Sequence, residues 1–330
     1  MLLKLFSLIY LSIINIRNFL YDHDWLKTQR LSTTVVSIGN IIVGGSGKTP
    51  ITIYLAQSLI EKGYSVGIVC RGYKKKSKGT IIVSDGVNIL SNVNACGDEA
   101  YLIAKNVFKS YIVADENKTR AAIFIEKQFK PDIILIDDGF QHRRLERNVD
   151  ILLYNTRIKS SKYKLLPLGI LREPIKNINR CDVIISTYDK DSKLKLNNSI
   201  EKYFSKMNYE LKLVCNDEFI SCIHPKEAIA FSGIANPIIF FNQLKKYNIK
   251  IKKELAFKDH VEYSDALIKK IDSSINNHYV KSVITTEKDF VKLPLHFVKK
   301  VDIYILCMNV KIDKCDSLIS EIEYNFIKLK

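Results

Sequence analysis

An apolar run that breaks into glycines and then into Lys-Thr admits few folds. Residues 35–50 read Val-Val-Ser-Ile-Gly-Asn-Ile-Ile-Val-Gly-Gly-Ser-Gly-Lys-Thr-Pro. The β-branched start predicts a buried strand, the glycines a tight turn, and Lys48 the first turn of a helix. A turn that ends in Gly-Lys-Thr is how a phosphate-binding loop ends. Glycines let successive backbone N–H groups converge on phosphate oxygens without Cβ clashes. The helix that follows aims its positive end at the same anion. On this reading Gly44, Gly45, Ser46 and Gly47 cradle phosphates, Lys48 reaches the β/γ-phosphates of ATP, and Thr49 offers a hydroxyl to Mg²⁺. The usual pattern has a glycine five places before the Gly of Gly-Lys-Thr. Here that place is Ile42, so the loop is a variant. A Gly-rich turn that merely precedes a helix is the competing reading, and the flanking strand and helix favour nucleotide binding.

From residue 33 the chain alternates strand and helix. Strands are expected at 35–38, 64–70, 80–83, 111–113, 132–136, 150–154 and 182–186. Helices are expected at 48–62, closed by Gly63, from 97 to about 108, and at 118–129. This is the pattern of a parallel sheet with helices on both faces. Functional groups collect at the carboxyl ends of such strands, where the Gly-rich turn, Arg71-Gly72-Tyr73 and Asp137-Asp138 all fall. Residues 187–225 read more weakly, as a Lys/Asn-rich helical stretch and then a strand at 210–214. A second block follows, with strands at 228–231, 251–257, 283–286 and 301–307. Its helices are expected at 237–247, with Pro237 in the first turn, and at 264–275, with Ser264 as N-cap. A terminal helix is expected from about 316 to 327.

With 330 residues, 47% of them hydrophobic, the chain has room for two domains with real cores. Its net charge of +16 is spread along it, about 6 up to residue 150 and about 10 after it. That suits an anionic partner, whether nucleic acid, membrane or phosphorylated substrate. No aromatic-interleaved basic patch or zinc-finger spacing is present, so nucleic acid is not expected. Seven cysteines without a CxxC pair point to free thiols in a reducing compartment.

Residues 1–20 are mostly apolar. Lys4, Ser7, Asn15 and Asn18 fall on one helical stripe with Leu11. The opposite face carries Leu2, Leu3, Leu5, Phe6, Ile9, Tyr10, Ile13, Ile14, Ile16 and Leu20. Only twelve residues separate Lys4 from Arg17, short of the roughly 20 apolar residues of a spanning helix. No signal-peptide cleavage site follows. A helix lying in the membrane interface is expected, against the alternative of a helix packed on the protein's own core.

Candidate catalytic groups surround the loop in sequence. Residues 133–138, Ile-Ile-Leu-Ile-Asp-Asp, form a strand ending in acids, and behind a phosphate loop Asp137 and Asp138 suit Mg²⁺. Gln141 and His142 continue that turn and are placed to orient substrate or phosphate. Asp98 and Glu99 open a helix, where they complement its dipole or supply a general base to a hydroxyl nucleophile. Asp259-His260 precedes a helix of the second block, in the manner of a histidine that tunes an acid.

Taken together, these motifs resemble the tetraacyldisaccharide 4′-kinase (LpxK) family. The resemblance runs through residues 37–40 and 43–50, Arg71-Gly72-Tyr73, Gly97-Asp98-Glu99, residues 137–142, Leu165-Leu166-Pro167, Leu171-Arg172-Glu173-Pro174, residues 233–237, residues 257–260 and residues 286–289. The family's loop has the same glycine arrangement, which accounts for Ile42. The resemblance implies a P-loop NTPase-like α/β core, its parallel sheet flanked by helices, a smaller α/β second domain and an N-terminal amphipathic helix. It implies a membrane-associated helix over 1–30, a core over 31–212 to which 308–330 returns, and linker strands with the smaller domain over 213–307. It implies transfer of the ATP γ-phosphate to the 4′-hydroxyl of tetraacyldisaccharide 1-phosphate, giving lipid IVA in lipid A biosynthesis. The implied roles are Asp98 as base with His260 as its partner, Lys48 on phosphate, Thr49 and the Asp137/Asp138 pair on Mg²⁺, and Glu99, Arg172 and Glu173 towards the lipid substrate. The expected setting is a monomer attached through residues 1–20 to the cytoplasmic face of the Gram-negative inner membrane. Three positions depart from the family pattern. Arg143 stands for an aromatic residue, residues 168–170 for a small-Gly-Pro run, and Ala235 for a glycine. A membrane-recruited P-loop ATPase switch is the rival of a different class, and it needs none of Asp98, His260, Arg172 or Glu173.

Overall fold

The apolar runs become strands buried on both faces, as a parallel sheet between helices requires. A computed structural model describes residues 2–44, 47–188, 200–215 and 218–329. The chain forms two units, Met1–Met207 with Val310–Lys330, and Asn208–Asn309.

In the larger unit the elements run α1 (Leu2–Asp22), β1 (Thr34–Gly39), α2 (Lys48–Glu61), β2 (Val66–Cys70), β3 (Ile81–Asp85), α3 (Val93–Cys96), α4 (Asp98–Asn106), β4 (Ser110–Ala114), α5 (Lys118–Phe129), β5 (Ile133–Asp137), β6 (Val149–Asn155), β7 (Val183–Thr187) and β8 (Glu201–Cys215). The sheet order is β8-β7-β6-β1-β5-β2-β4-β3. β1 is central, and its residues alternate between two cores. Val36 and Ile38 pack with Leu55, Ile103, Leu318 and Ile322, while Val35 packs with Ala121, Ala122 and Ile125. Helices therefore cover both faces, and the α/β class expected from the sequence is the class that forms. The registers Ile38↔Asp137 and Val69↔Ile136 bring the ends of β1, β5 and β2 to one edge.

Several elements differ from expectation. β3 pairs with β4 antiparallel, which closes the sheet with a reversed edge strand. The short α3 is new, and α4 ends at Asn106, because the extended backbone of Val107 turns the chain towards β4. Residues 201–209, expected within a helical stretch, belong instead to the long strand β8. From Ser205 on, Met207, Tyr209, Leu211 and Leu213 alternate along it with Lys206, Asn208, Glu210 and Lys212, a period of two that the Lys/Asn-rich composition hides. The remainder of that stretch, 189–199, lies outside the described residues.

α1 turns its faces in an instructive way. Ser7, Ile14 and Asn18 are buried against the unit, whereas Leu2, Leu3, Leu5, Phe6, Leu8, Ile9, Ile13, Ile16 and Phe19 are 48–66% exposed. Ser7 and Asn18 of the polar stripe thus face inward, Lys4 is exposed, and most of the apolar face points outward. Tyr10 and Ile14, expected outside, belong to the inner face, and Asn15, expected on the polar stripe, is exposed. The helix is long and apolar enough to cross a membrane by length and composition, yet one side of it is tied down by side-chain hydrogen bonds.

The smaller unit starts within β8 and continues through β9 (Glu218–Ser221), β10 (Glu227–Ser232), α6 (Pro237–Leu244), β11 (Lys250–Ala256), α7 (Asp265–Asn277), β12 (Ser282–Thr286), α8 (Glu287–Phe290), α9 (Leu295–Val298) and most of β13 (Asp302–Ile312). Its parallel strands run β11-β10-β12-β13, and β9 pairs antiparallel with β8. Ile268, Ile271 and Ile275 put one stripe of α7 into the core on one face of this sheet, and Phe240, Phe241 and Leu244 of α6 fill the other. Ser264 occupies the N-cap of α7 but makes no side-chain cap bond, contrary to expectation. The chain then returns to the larger unit as α10 (Cys315–Leu329), whose Leu318, Ile319 and Ile322 enter the core beneath β1. All seven cysteines are free thiols.

Candidate active site

The phosphate loop leaves β1 at Gly39 and re-enters structure at Gly47, the N-cap of α2, with φ 79. Gly45 and Ser46 lie outside the described residues. A Cβ at Gly47 would lie 2.7 Å from Met207 Cε, in a backbone conformation that favours glycine. The odd Ile42 has a reason. It is 4% exposed and packs in a core with Phe140, Leu152 and Leu171. Its neighbours hold a second segment: Arg172 N–H donates to the Ile41 carbonyl and Val43 N–H to the Ile170 carbonyl, both at 2.8 Å. The start of the loop is thus a buried apolar contact, and the glycines begin only at Gly44.

Asp137 ends β5 and Asp138 follows it with φ 55. That left-handed step sends the two neighbouring carboxylates into different environments. Thr52 Oγ1 donates to Asp137 at 3.3 Å. Burial pushes the Asp137 carboxyl up to about 7, with Glu99 adding to the shift and Lys48 opposing it. Asp138 receives Arg172 Nη1 at 2.9 and 3.1 Å and lies 3.4 Å from Lys48 Nζ. Lys118, at the start of α5, donates to the Asp138 carbonyl. Burial alone would raise Asp138, but Lys48, Lys118 and Arg172 outweigh it and hold that carboxyl well below its ordinary value. Among the described residues no three His, Cys, Asp or Glu side chains gather into a metal cage. Mg²⁺ needs none, since it is commonly held by one or two carboxylates with substrate phosphates. A buried carboxyl that resists ionisation beside a second, ionised one fits a divalent cation, whose charge favours both carboxylates.

Asp98 is the first residue of α4, 5% exposed, and its Oδ1 accepts from the Glu99 N–H at 3.0 Å. Gly97, φ 88, packs so closely that a Cβ would meet the Tyr73 carbonyl at 2.8 Å, which draws the start of α4 onto Arg71-Gly72-Tyr73. Residues 71–73 follow β2, the neighbour of β5 in the sheet, so this packing brings the helix start to the same edge as the acidic pair. Gln141 Nε2 donates to the Asn40 carbonyl at 2.8 Å, and its Oε1 accepts from Arg172 at 3.3 Å. The His142 ring pairs with Thr119 Oγ1 at 2.9 Å, and burial, with Lys118 and Arg147 adding to it, lowers its pKa to about 4, so the imidazole is neutral. Glu173 is fully buried and accepts from Arg17, Asn18, Asn177 and Arg180 at 2.8–3.2 Å. The departure at Arg143 has a use: its guanidinium reaches Asp22 at 2.7 Å and the Asn18 carbonyl at 3.1 Å, both on α1. In the smaller unit His260 has φ 54, and its Nε2 lies 2.9 Å from Lys288 Nζ and 3.8 Å from Asp259.

The structure therefore gathers Lys48, Asp137, Asp138, Gln141, Arg172 and the start of α4 at one edge of the larger sheet. Lys118, Thr119 and Thr52 are additions that motif reading missed. Lys118 and Thr119 open a helix after the carboxyl end of β4, the same strand–turn–helix position as the phosphate loop, and that signal was available.

The chain is similar to the tetraacyldisaccharide 4′-kinase of Aquifex aeolicus (strain VF5), 37% identical over 317 residues that cover 95% of each chain. It is 36% identical over 299 residues to the enzyme of that name from Pelobacter propionicus, covering 88% of this chain and 82% of the relative. A crystal structure of the "apo" form of LpxK from Aquifex aeolicus in complex with ATP matches with a TM-score of 0.82, 36% identity and 98% coverage of both chains. The profile described as LpxK, tetraacyldisaccharide-1-P 4′-kinase, matches residues 1–324. A partly buried phosphate-loop lysine set against the second acid of a strand-end pair, on a fold matched end to end at this identity, makes the chain a member of the LpxK family of ATP-using tetraacyldisaccharide 4′-kinases.

Proposed function

We propose that this kinase transfers the γ-phosphate of ATP to the 4′-hydroxyl of tetraacyldisaccharide 1-phosphate, giving lipid IVA. The observation that carries the reading is Lys48 and Arg172 converging on Asp138 at the end of the strand beside the phosphate loop. The loop and the N-terminus of α2 bind the phosphates, with Gly44, Gly45, Ser46 and Gly47 as cradle and Lys48 on the β/γ-oxygens. Thr49, Asp137 and Asp138 hold Mg²⁺. Bound Mg²⁺ neutralises charge on the phosphoryl oxygens. Asp98 takes the proton of the 4′-hydroxyl as the new O–P bond forms and the bond from the γ-phosphorus to ADP breaks. His260 is its partner. Glu99, Gln141, His142, Arg172 and Glu173 shape the acceptor side, Glu173 through the residues it fastens. The protein works as a monomer, with the exposed apolar face of α1 in the interface of the inner membrane, on its cytoplasmic side.

Labelled transfer tests this. Purified protein should move ³²P from γ-labelled ATP onto the disaccharide 1-phosphate in detergent micelles. ATP turnover that never labels the lipid overturns the reading in favour of an ATPase switch. Lys48→Ala should lower labelling about 100-fold or more, and Asp98→Ala by about 10²–10⁴-fold, the usual worth of a positioned base. Full labelling by Asp98→Ala would remove Asp98 from that role.

A further inference from the structure

The segment from Leu165 to Glu173 is tied on one side to the phosphate loop and on the other to α1. Towards the loop, Arg172 N–H and the Ile170 carbonyl bond to Ile41 and Val43 at 2.8 Å, and Leu171 bridges Ile42. Towards α1, Ser7 Oγ donates to the Leu165 carbonyl at 3.3 Å, Tyr10 Oη to the Arg172 carbonyl at 2.8 Å and Asn18 Nδ2 to Glu173 at 3.1 Å. Each part of Arg172 thus has a different partner. Its N–H meets the loop, its carbonyl meets α1, and its guanidinium meets Asp138. The fully buried Glu173 carboxylate next to it depends on its donors, since an ionised group out of water is tolerated only when paired and hydrogen-bonded. Arg17 and Asn18 of α1 are two of them.

We propose that the inner face of α1 is part of the catalytic scaffold, and that Tyr10 and Asn18 are positioning residues that hold Arg172 on Asp138 and residues 41–43 at the start of the phosphate loop. The inference rests on the phosphoryl-transfer reading above. Tyr10 and Asn18 act through Arg172 and Glu173. The two faces of one helix then have separate tasks, the outer one towards lipid and the inner one towards the geometry of the site.

The test uses full-length protein with Tyr10→Phe, which removes a single hydroxyl, and Asn18→Ala. In detergent micelles the kcat for lipid labelling should fall five- to tenfold in each, with KM for the lipid within twofold of wild type. Deuterium uptake should rise in peptides covering 41–44 and 165–173, while co-sedimentation with phospholipid vesicles stays at the wild-type level. Wild-type kcat and uptake in both variants overturn the proposal, as does a fall in kcat matched by an equal loss of vesicle binding. If Asn18→Ala fails to fold, Tyr10→Phe decides. A wild-type protein that does not label the lipid would sink the phosphoryl-transfer reading instead, and deuterium uptake would still report whether α1 holds the loop.

Discussion

Asp137 and Asp138 are adjacent in sequence and opposite in charge behaviour, and the cause is the left-handed backbone at Asp138. One carboxyl stays at the end of a buried strand, where desolvation raises it. The other turns out among Lys48, Lys118 and Arg172. The sequence alone showed that acids end this strand, because hydrophobic run and acid are neighbours. It did not show the division between them, because Arg172 and Lys118 stand far away along the chain. The same turn explains a prediction. Gly39 abuts the residue after the turn, so that a Cβ there would lie 2.5 Å from Phe140 Cβ and 2.6 Å from Phe140 N. Phe140 is fully buried and cannot give way. Gly39→Ala should destabilise the protein by about 2 kcal/mol or more, the scale of overpacking a tight core. A urea midpoint equal to wild type would show that the turn relaxes after all.

Elements with one strong local period were legible, and those that mix periods were not. β1, β5 and β7 are short, mostly apolar and wholly buried runs, and α7 carries a clean apolar stripe. β8 was read as mostly helical because Lys and Asn dominate its exposed side. The four-residue helices α3, α8 and α9 are too short to show a period at all. α10 supports a test of its own. Burial, with Asp182 and Glu201 adding to it, raises the Glu321 carboxyl from 4.5 to about 7, and one of its oxygens has no hydrogen-bond partner among the described residues. A raised acid favours the fold while it is neutral. Its contribution is complete below pH 4.5 and is lost as pH climbs through 7. Glu321→Gln, which stays neutral, should therefore match wild type near pH 4.5 and exceed it at pH 8. The group is only partly buried, so the gain is about 1 kcal/mol, well short of what a fully buried carboxyl with that shift would carry. Chemical denaturation at the two pH values measures it, and an equal difference at both would refute the titration.

At the scale of the whole molecule, the proposed membrane attachment draws on two separate features, the net charge of +16 and the outward apolar face of α1. On that proposal, cations would draw the protein to an anionic bilayer and the exposed apolar residues would hold it there. Deleting residues 2–20 would test attachment poorly. It would also strip Arg17 and Asn18 from the buried Glu173 carboxylate and Tyr10 from Arg172, so that lost binding and damaged folding could not be separated. Substituting only the outer face avoids this. Phe6, Ile9, Ile13 and Ile16 are each about half exposed or more. Burying such a side chain fully is worth about 1.5–3 kcal/mol, and partial insertion about 1 kcal/mol. Changing all four to serine should thus weaken vesicle binding by about 4 kcal/mol, roughly a thousandfold, and release the protein on co-sedimentation with anionic vesicles at 0.15 M salt. The thermal midpoint should stay near wild type, because none of the four belongs to the buried inner face. If the tetra-serine protein still pelleted with vesicles and did so equally at 0.5 M salt, the contact would be apolar and would have to come from another part of the surface. Release by salt alone would instead assign the remaining attraction to the lysines and arginines.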